Sequence, residues 1–445
     1  MRIRLPFRRH NLPRRDALAR PGSDQERRDL VLRHGYNGMS YLTLYAGWEY
    51  FHPPHGGGFI AFERHNGVAL AVGDPVCEPG DEAMLLDAFQ SYCRAERLTP
   101  AFAGASARLA SLCRRQDWQT LKVGEEPLFR LDGYAPRGNR TKKVRSAANQ
   151  ARKTGVTVER IPAGSRPTPA VAREMGEVLE QWRASRCIAA LSFTLRLAPL
   201  DGAEDKVILL ARKDGGLDGF VTCIPVAGRN GYTIEDMIRR PTAPNGVSEM
   251  LFLAAADECR ARGAEFANLG LAPLRNARRQ PAGHRLIGHA LHFTFRRLNF
   301  FYKFKPLEHF KAKFGPTEWE DAFLIYRPGR LVRVSLALFN AFTPGKLGFV
   351  KSPLRQLPRP GTLPAGARRL SPGHAVAATV TSIAAVGYSA LAVQNPVLFL
   401  PFEIVEHTIA RPLMAAEGIA RGHLIVDSIL LAAAGGWFVR SERRN

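Results

Sequence analysis

The amino-acid sequence predicts an α/β protein made by doubling one strand–turn–helix–strand unit and extended by an apolar, helical tail. The first observation is an internal repeat. Sliding the 445-residue chain along itself by 166 positions aligns 75–95 with 241–261, with identities at Pro75/Pro241, Gly80/Gly246, Met84/Met250, Leu85/Leu251, Ala88/Ala254, Cys93/Cys259, Arg94/Arg260 and Ala95/Ala261. The second is that both copies follow a short apolar run of strand character, GVALAVG at 67–73 and GYTIEDMI at 231–238. The third is a change of composition: positions 322–402 hold nine Lys or Arg and no acidic residue, with prolines at 353, 358, 360, 364 and 372.

In chain order, MRIRLPFRRHNLPRRDALAR is basic and lacks the apolar core of a secretory signal, so 1–27 reads as a flexible arm. A first domain is expected over 28–160 and a second over 161–328. In the second repeat Val247, Met250, Leu251, Ala254 and Ala255 recur at helical spacing, and Gly263 stops the helix before EFANLGLA, the next strand. Between the repeats, RGNRTKKVRSAANQARKTG (137–155) predicts a helix bridging the domains, with Val144, Ala147, Ala148 and Ala151 as a narrow apolar stripe and Gly155 as its stop. Residues 329–372 read as a basic interfacial segment and proline-bearing linker, in which LVRVSLALFNAF (331–342) would lie flat on a membrane. His374 to Phe402 carries no Asp, Glu, Lys or Arg, and with HLIVDSILLAAAGGWFV (423–439) it predicts a membrane hairpin over 373–445. Arg368, Arg369, Arg440, Arg443 and Arg444 would keep both of its ends cytosolic.

The formal net charge of +23 points to polyanionic partners, nucleic acid or anionic lipid headgroups. Six cysteines without a CxxC pair argue against a zinc module or disulfide framework and suit a reducing compartment. The 137–155 helix concentrates this charge. Arg140, Lys142, Lys143, Arg145, Arg152 and Lys153 cover most of its surface with no counter-charge, whereas a solvated face normally mixes both signs. A second basic cluster, Arg275 to Lys313, has ten Lys or Arg against Glu308 alone and is interleaved with aromatics including Phe300, Phe301, Tyr302 and Phe310.

Several ordered blocks then resemble one family: YNGMSYLTLYAGWEYF (36–51), GFIAFERHNGVALAVGDPV (58–76), GNRTKKVRSAANQARKTG (138–155), EDMIRR (235–240), FANLGLAPL (266–274) and FYKFKPLEHFKAKFGPTEWEDAFLIY (301–326) look like the catalytic domain of the phosphatidylglycerol lysyltransferases, over roughly 28–328. The resemblance implies tandem acetyltransferase-like (GNAT) domains with mixed sheets, the second one catalytic. It implies transfer of an aminoacyl group from aminoacyl-tRNA to a lipid headgroup hydroxyl at the cytoplasmic leaflet. It puts a functional acidic and basic pair on Asp236 and Arg239, and a functional lysine at Lys311 or Lys313, of which Lys313 is the preferred phosphate or oxyanion contact. Arg140, Lys142, Lys143, Arg145 and Arg152 are the expected polyanion ligands. The family's multi-span flippase domain has no counterpart before Tyr36, so lipid flipping is not expected of this chain.

Such a transfer needs a proton acceptor, an oxyanion stabiliser and cations for phosphates, but no metal, organic cofactor or covalent enzyme intermediate. In a regular strand Glu235 would face away from Asp236. GDP (73–75), Tyr36, Asn37 and Tyr41 fit structural roles. QPAGHR (280–285) fails the pyrophosphate-loop pattern of an acetyl-CoA enzyme, and no Walker A, GxGxxG, HExxH or GxSxG element occurs. Two other readings compete: an acyltransferase of the same fold with another donor and a polar-lipid or peptide acceptor, and a non-catalytic RNA- or membrane-binding adaptor. The amino acid, the lipid acceptor and the oligomeric state are left open.

Overall fold

The computed structural model describes residues 18–185, 196–276 and 304–342, all within one compact unit that runs to Lys346. The first half comprises α1 (Asp24–His34), α2 (Gly38–Leu42), β1 (Glu49–Phe51), β2 (Ile60–His65), β3 (Val68–Val72), α3 (Glu82–Ala95), β4 (Thr99–Ala105), α4 (Ala107–Arg115) and β5 (Gln119–Arg130). Then come α5 (Lys142–Lys153), β6 (Thr157–Arg160), α6 (Pro169–Ser185), β7 (Val207–Lys213), β8 (Gly216–Val226), β9 (Gly231–Arg239), α7 (Val247–Ala261), β10 (Phe266–Asn268) and β11 (Ala272–Pro273). The described chain closes with α8 (Phe304–Ala312), β12 (Glu318–Tyr326) and α9 (Leu331–Phe342). The predicted hairpin over 373–445 and the linker before it lie outside the described residues. Among the described residues no helix is long and apolar enough to cross a membrane.

The repeat has a structural counterpart. β3–α3–β4 and β9–α7–β10 are each a parallel strand pair joined through a helix, the helices occupying the two copies of the repeated sequence. All strands join one mixed sheet in the order β1-β2-β3-β4-β12-β5-β10-β9-β8-β7-β6, with β11 also on β5. β5 is the seam between the halves: β12, returning from late in the chain, runs along one edge, and β10 and β11 pair antiparallel with the other.

Helices α3, α4, α5 and α7 cover one face of the sheet; α1, α2, α6 and α9 cover the other. The small-residue stripe of α5 is buried as its spacing requires, with Val144, Ala148 and Ala151 against Val247 and Leu251 of α7. The helix thus packs with the second half, as does β6, which pairs with β7. Two expectations change. Residues 24–27, read as part of a flexible arm, open α1, whose N-cap Ser23 accepts from Glu26 N–H. The 331–342 helix does not offer its apolar face to a membrane: Val334, Ala337 and Ala341 are buried in the core over β2 and β3. Amphipathic periodicity is the same whether lipid or a sheet covers the stripe, so spacing alone could not tell these apart.

Gly246 caps the N-terminus of α7 with φ +97°, where a side chain is strained, and a methyl group there would fall 1.9 Å from the Ala147 carbonyl oxygen of α5. Gly246→Ala is therefore expected to cost about 2–3 kcal/mol in urea unfolding. A loss below ~0.5 kcal/mol would mean that α5 and α7 are not in this close contact.

Candidate active site

Two local departures from regular sheet geometry build the site. The first is a β-bulge. Val221 pairs with Met237 but Cys223 with Ile234, so Thr222 of β8 stands opposite two residues of β9, Glu235 and Asp236. The extra residue resets the alternation: Ile234 and Met237 both pack toward α7, while Ile238 faces the α6 side. Glu235 and Asp236 are thereby brought to the same face, correcting the expectation that they point apart.

The second departure is a splay. β9 and β10 pair only through Gly231–Thr233 and Phe266–Asn268. Beyond Asn268 the chain follows β5 instead, with Leu269 N–H donating to Pro127 O and Ala272 opposite Glu125. Asn268 Oδ1 accepts from Gly270 N–H at 2.9 Å and turns the backbone at Gly270, where φ is +65°. The sheet opens at this level, with Glu235 and Asp236 on the β9 lip and Gly270 and Leu271 on the other. In the first half β3 and β4 stay paired along Val68–Val72.

On the β9 lip, Glu235 is compensated. Tyr45 O–H donates to it at 2.8 Å, and the buried Lys206 Nζ lies 3.7 Å away while donating to Tyr45 Oη and Ala198 O, each at 2.8 Å. Tyr41 O–H, beside it, donates to Gly202 O and Asp205, which Arg28 also holds. Asp236 is not compensated. It is 3% exposed, and its Oδ2 is sealed from solvent with no hydrogen-bond partner. Burial and the neighbouring Glu235 push its carboxyl well above the usual range, against the pull of Lys206, Arg183 and the Thr222 hydroxyl.

On the opposite lip, Lys311 of α8 donates from Nζ to Gly270 O at 2.9 Å and Leu271 O at 2.7 Å. Burial lowers it to about 8, with Glu126 pulling the other way. Glu126 of β5, which the sequence reading missed, is buried, makes no side-chain hydrogen bond among the described residues, and is pushed up to about 7 by burial, with Lys311 opposing. Neighbouring acids are satisfied: Glu125 by Lys122, Arg275 and Asn276, Glu320 by two bonds from Arg229 at 2.6 and 2.9 Å.

The other predicted site residues stand elsewhere. Arg239, past the bulge, points away from Asp236 and donates to Arg240 O and Ala243 O, with no ion pair between the two. Lys313 pairs with Glu249 of α7 at 2.7 Å and lies over the Phe310 ring. The structure thus brings Lys311 to the splay and leaves Lys313 on α7. Arg145 donates to Pro136 O at 2.8 Å and shapes the loop before α5. Arg140, Lys142, Lys143 and Arg152 are exposed and pair with no carboxylate among the described residues. Arg140 lines a shallow cavity of about 290 Å³ with Arg130, Arg137 and Thr141 at the N-terminus of α5. Asp74 of the GDP turn accepts from the Ser106 N–H and hydroxyl and so secures the start of α4, while Asn37 caps α2. Among the described residues no three His, Cys, Asp or Glu cluster as metal ligands, and QPAGHR and most of the second basic cluster lie outside them.

A family profile described as phosphatidylglycerol lysyltransferase, C-terminal, matches residues 28–326. The chain belongs to this family. It is 28% identical over 324 residues to a lysylphosphatidylglycerol biosynthesis bifunctional protein of Rhodococcus opacus, covering 71% of this chain and 29% of that protein. It is 26% identical over 315 residues to an uncharacterized protein of Corynebacterium glutamicum, of which it covers 39%. The chain thus spans well under half the length of these curated relatives. Among solved structures, the C-terminal domain of a proposed lysylphosphatidylglycerol synthetase from Agrobacterium fabrum matches with TM-score 0.60 and 27% identity, covering 72% of this chain and 95% of that one. L-PGS from Bacillus licheniformis shares the fold with TM-score 0.61 at 20% identity, covering 71% and 95%. The expected fold, a mixed-sheet tandem acetyltransferase-like α/β architecture, is the one present.

A carboxyl held near 7 makes stability pH-dependent. Because the folded value exceeds the ordinary 4.5, the stability associated with protonated Glu126 is complete below pH 4.5 and is lost as pH rises toward 7. Glu126→Gln removes this loss, so the urea stability of the variant relative to wild type is expected to rise by roughly 3 kcal/mol between those limits and then level off. A flat difference curve would place Glu126 in an ordinary solvated setting.

Proposed function

We propose that this chain is a membrane-associated aminoacyltransferase that moves an amino acid from aminoacyl-tRNA to the headgroup hydroxyl of phosphatidylglycerol or a related lipid at the cytoplasmic leaflet. The observation that carries this reading is the buried carboxyl of Asp236, whose Oδ2 has no hydrogen-bond partner, at the mouth of a splayed sheet. A carboxyl with an empty acceptor position beside a second carboxylate suits an ammonium, which brings three N–H donors. The α-amino group of an aminoacyl ester supplies one, and its arrival favours ionised Asp236. Family membership and the relatives named for lysylphosphatidylglycerol biosynthesis support the acyl donor and lipid acceptor classes.

The exposed cations of α5 support the polyanionic partners. Lys142 and Lys143 occupy the first turn, where the helix dipole already disfavours positive charge, and Thr141 provides no side-chain cap. Phosphates of tRNA or of anionic lipid relieve that repulsion. Membrane residence through the 373–445 hairpin or through this basic surface belongs to the same proposal, with no metal or organic cofactor required by the chemistry.

Asp236→Asn is expected to lower transfer of labelled amino acid to phosphatidylglycerol, read by thin-layer chromatography, on the order of 10²–10⁴-fold while unfolding cooperatively as wild type does. Normal turnover would remove Asp236 from the site. Replacing Lys142, Lys143 and Arg152 with Gln is expected to flatten the log–log salt dependence of tRNA binding by roughly 0.7–0.9 per lost phosphate contact. An unchanged slope for tRNA and for anionic vesicles would make the helix a solvated face.

A further inference from the structure

Across the opening from Asp236, the sheet holds a second reactive pair that the ammonium-binding role leaves unused. Glu126 is 9% exposed, and among the described residues no donor is hydrogen-bonded to its carboxylate. Lys311 of α8 acts on it electrostatically without forming an ion pair with it. Two of the three N–H groups of Lys311 are spent on Gly270 O and Leu271 O, which leaves one free. The pair thus offers one unused acceptor and one unused donor.

The surrounding charges keep Glu126 in this state. Glu320 stands directly opposite it on β12 but is neutralised by Arg229 from the β8–β9 turn, Asp74 at the end of β3 is held by Ser106, and Glu125 on its own strand is held by Lys122 and Arg275. Each neighbouring carboxylate therefore has its partner, and Glu126 alone among them has none. A buried carboxylate whose neighbours are all satisfied is the base that a neutral, proton-bearing ligand finds.

We propose that Glu126 is the proton acceptor for the attacking hydroxyl and that the free Lys311 N–H steadies the charge developing on the ester carbonyl oxygen. This rests on the transferase reading above and adds the residue that activates the acceptor. The acceptor O–H gives its proton to Glu126 as its oxygen bonds to the acyl carbon. The carbon–oxygen bond to the terminal ribose of tRNA then breaks, and the leaving ribose oxygen takes that proton, so Glu126 ends as it began. No oxidant, reductant or covalent enzyme intermediate enters. The titration of Glu126 at about 7 is consistent with a base that is ionised at neutral pH and still able to hold a proton.

The test uses the full chain, tRNA charged with a radiolabelled amino-acid mixture, and either phosphatidylglycerol vesicles or hydroxylamine as acceptor. Hydroxylamine attacks esters without a general base, so hydroxamate, counted only above the rate of a protein-free control, reports donor binding and folding separately from acceptor activation. Glu126→Gln is expected to lower kcat toward the lipid by about 10²–10⁴ and to abolish the fall in rate below pH 7, while forming labelled hydroxamate at the wild-type rate. Glu126→Asp is expected to recover part of the lipid rate together with an acidic limb in the pH profile. Wild-type lipid turnover by Glu126→Gln would overturn the proposal and leave the transferase reading standing. Equal loss of both reactions in Glu126→Gln and Glu126→Asp would make Glu126 a structural residue and also overturn it. A wild-type protein that makes neither labelled lipid nor hydroxamate would overturn both readings, and one that makes hydroxamate alone would overturn the lipid acceptor and with it the assignment of Glu126 to the attacking hydroxyl.

Discussion

A short strand cannot follow two diverging neighbours, and the candidate site depends on how β10 resolves that conflict. For three residues it is hydrogen-bonded to β9 on one edge and β5 on the other; after Asn268 it keeps β5 and abandons β9. Backbone groups released from a buried sheet need other partners. Two carbonyls released there are taken by the Lys311 ammonium, and the Gly270 N–H by the Asn268 side chain. The opening is thus stabilised by the same lysine that lines it, which couples the architecture of the splay to its chemistry.

The bulge opposite Thr222 is the complementary device. A β-strand of regular pleat would put one of two consecutive carboxylates into the apolar core under α7, at a prohibitive desolvation cost. One extra residue on β9 sends both to the polar side, where Tyr45 and Lys206 compensate Glu235 and leave Asp236 with an unused acceptor. The desolvation concentrated at Asp236 and Glu126 is offset elsewhere, by three apolar clusters that run through both faces of the sheet. The two halves divide the work. The first contributes Tyr45 and, through β5, Glu126; the second contributes the bulge and the splay.

Much of this was legible in the sequence. The 166-residue repeat, the two strand–helix–strand units and the buried stripe of α5 follow from periodicity and punctuation, because a helix of period 3.6 with a glycine stop has few alternative arrangements. The charge of α5 was equally plain, since no acidic residue lies within 137–155. Arg145 also holds a backbone carbonyl, Pro136 O, a partner that no side-chain pattern announces. The same limit applies to 331–342, whose apolar stripe is covered by a sheet more than 250 positions earlier in the chain.

By itself the sequence determined the α/β class, the duplication and the basic helix. Only the tertiary structure decided that Glu235 joins Asp236, that Lys311 rather than Lys313 reaches the opening, and that Glu126 is buried near Lys311. The physical reason is that repeats, caps and stripes are set by neighbours within a few residues, whereas the splay and the partner of a buried charge are set by segments that meet across more than a hundred residues of chain, and the bulge by a pairing register that no spacing announces. GEEPLF at 124–129 looks like any strand with two acids. Which of the two is left without a partner depends on Lys122 of the same strand, the neighbours Arg275 and Asn276, and Arg229 of the β8–β9 turn coming together from three places, and that outcome exists only once the chain has folded.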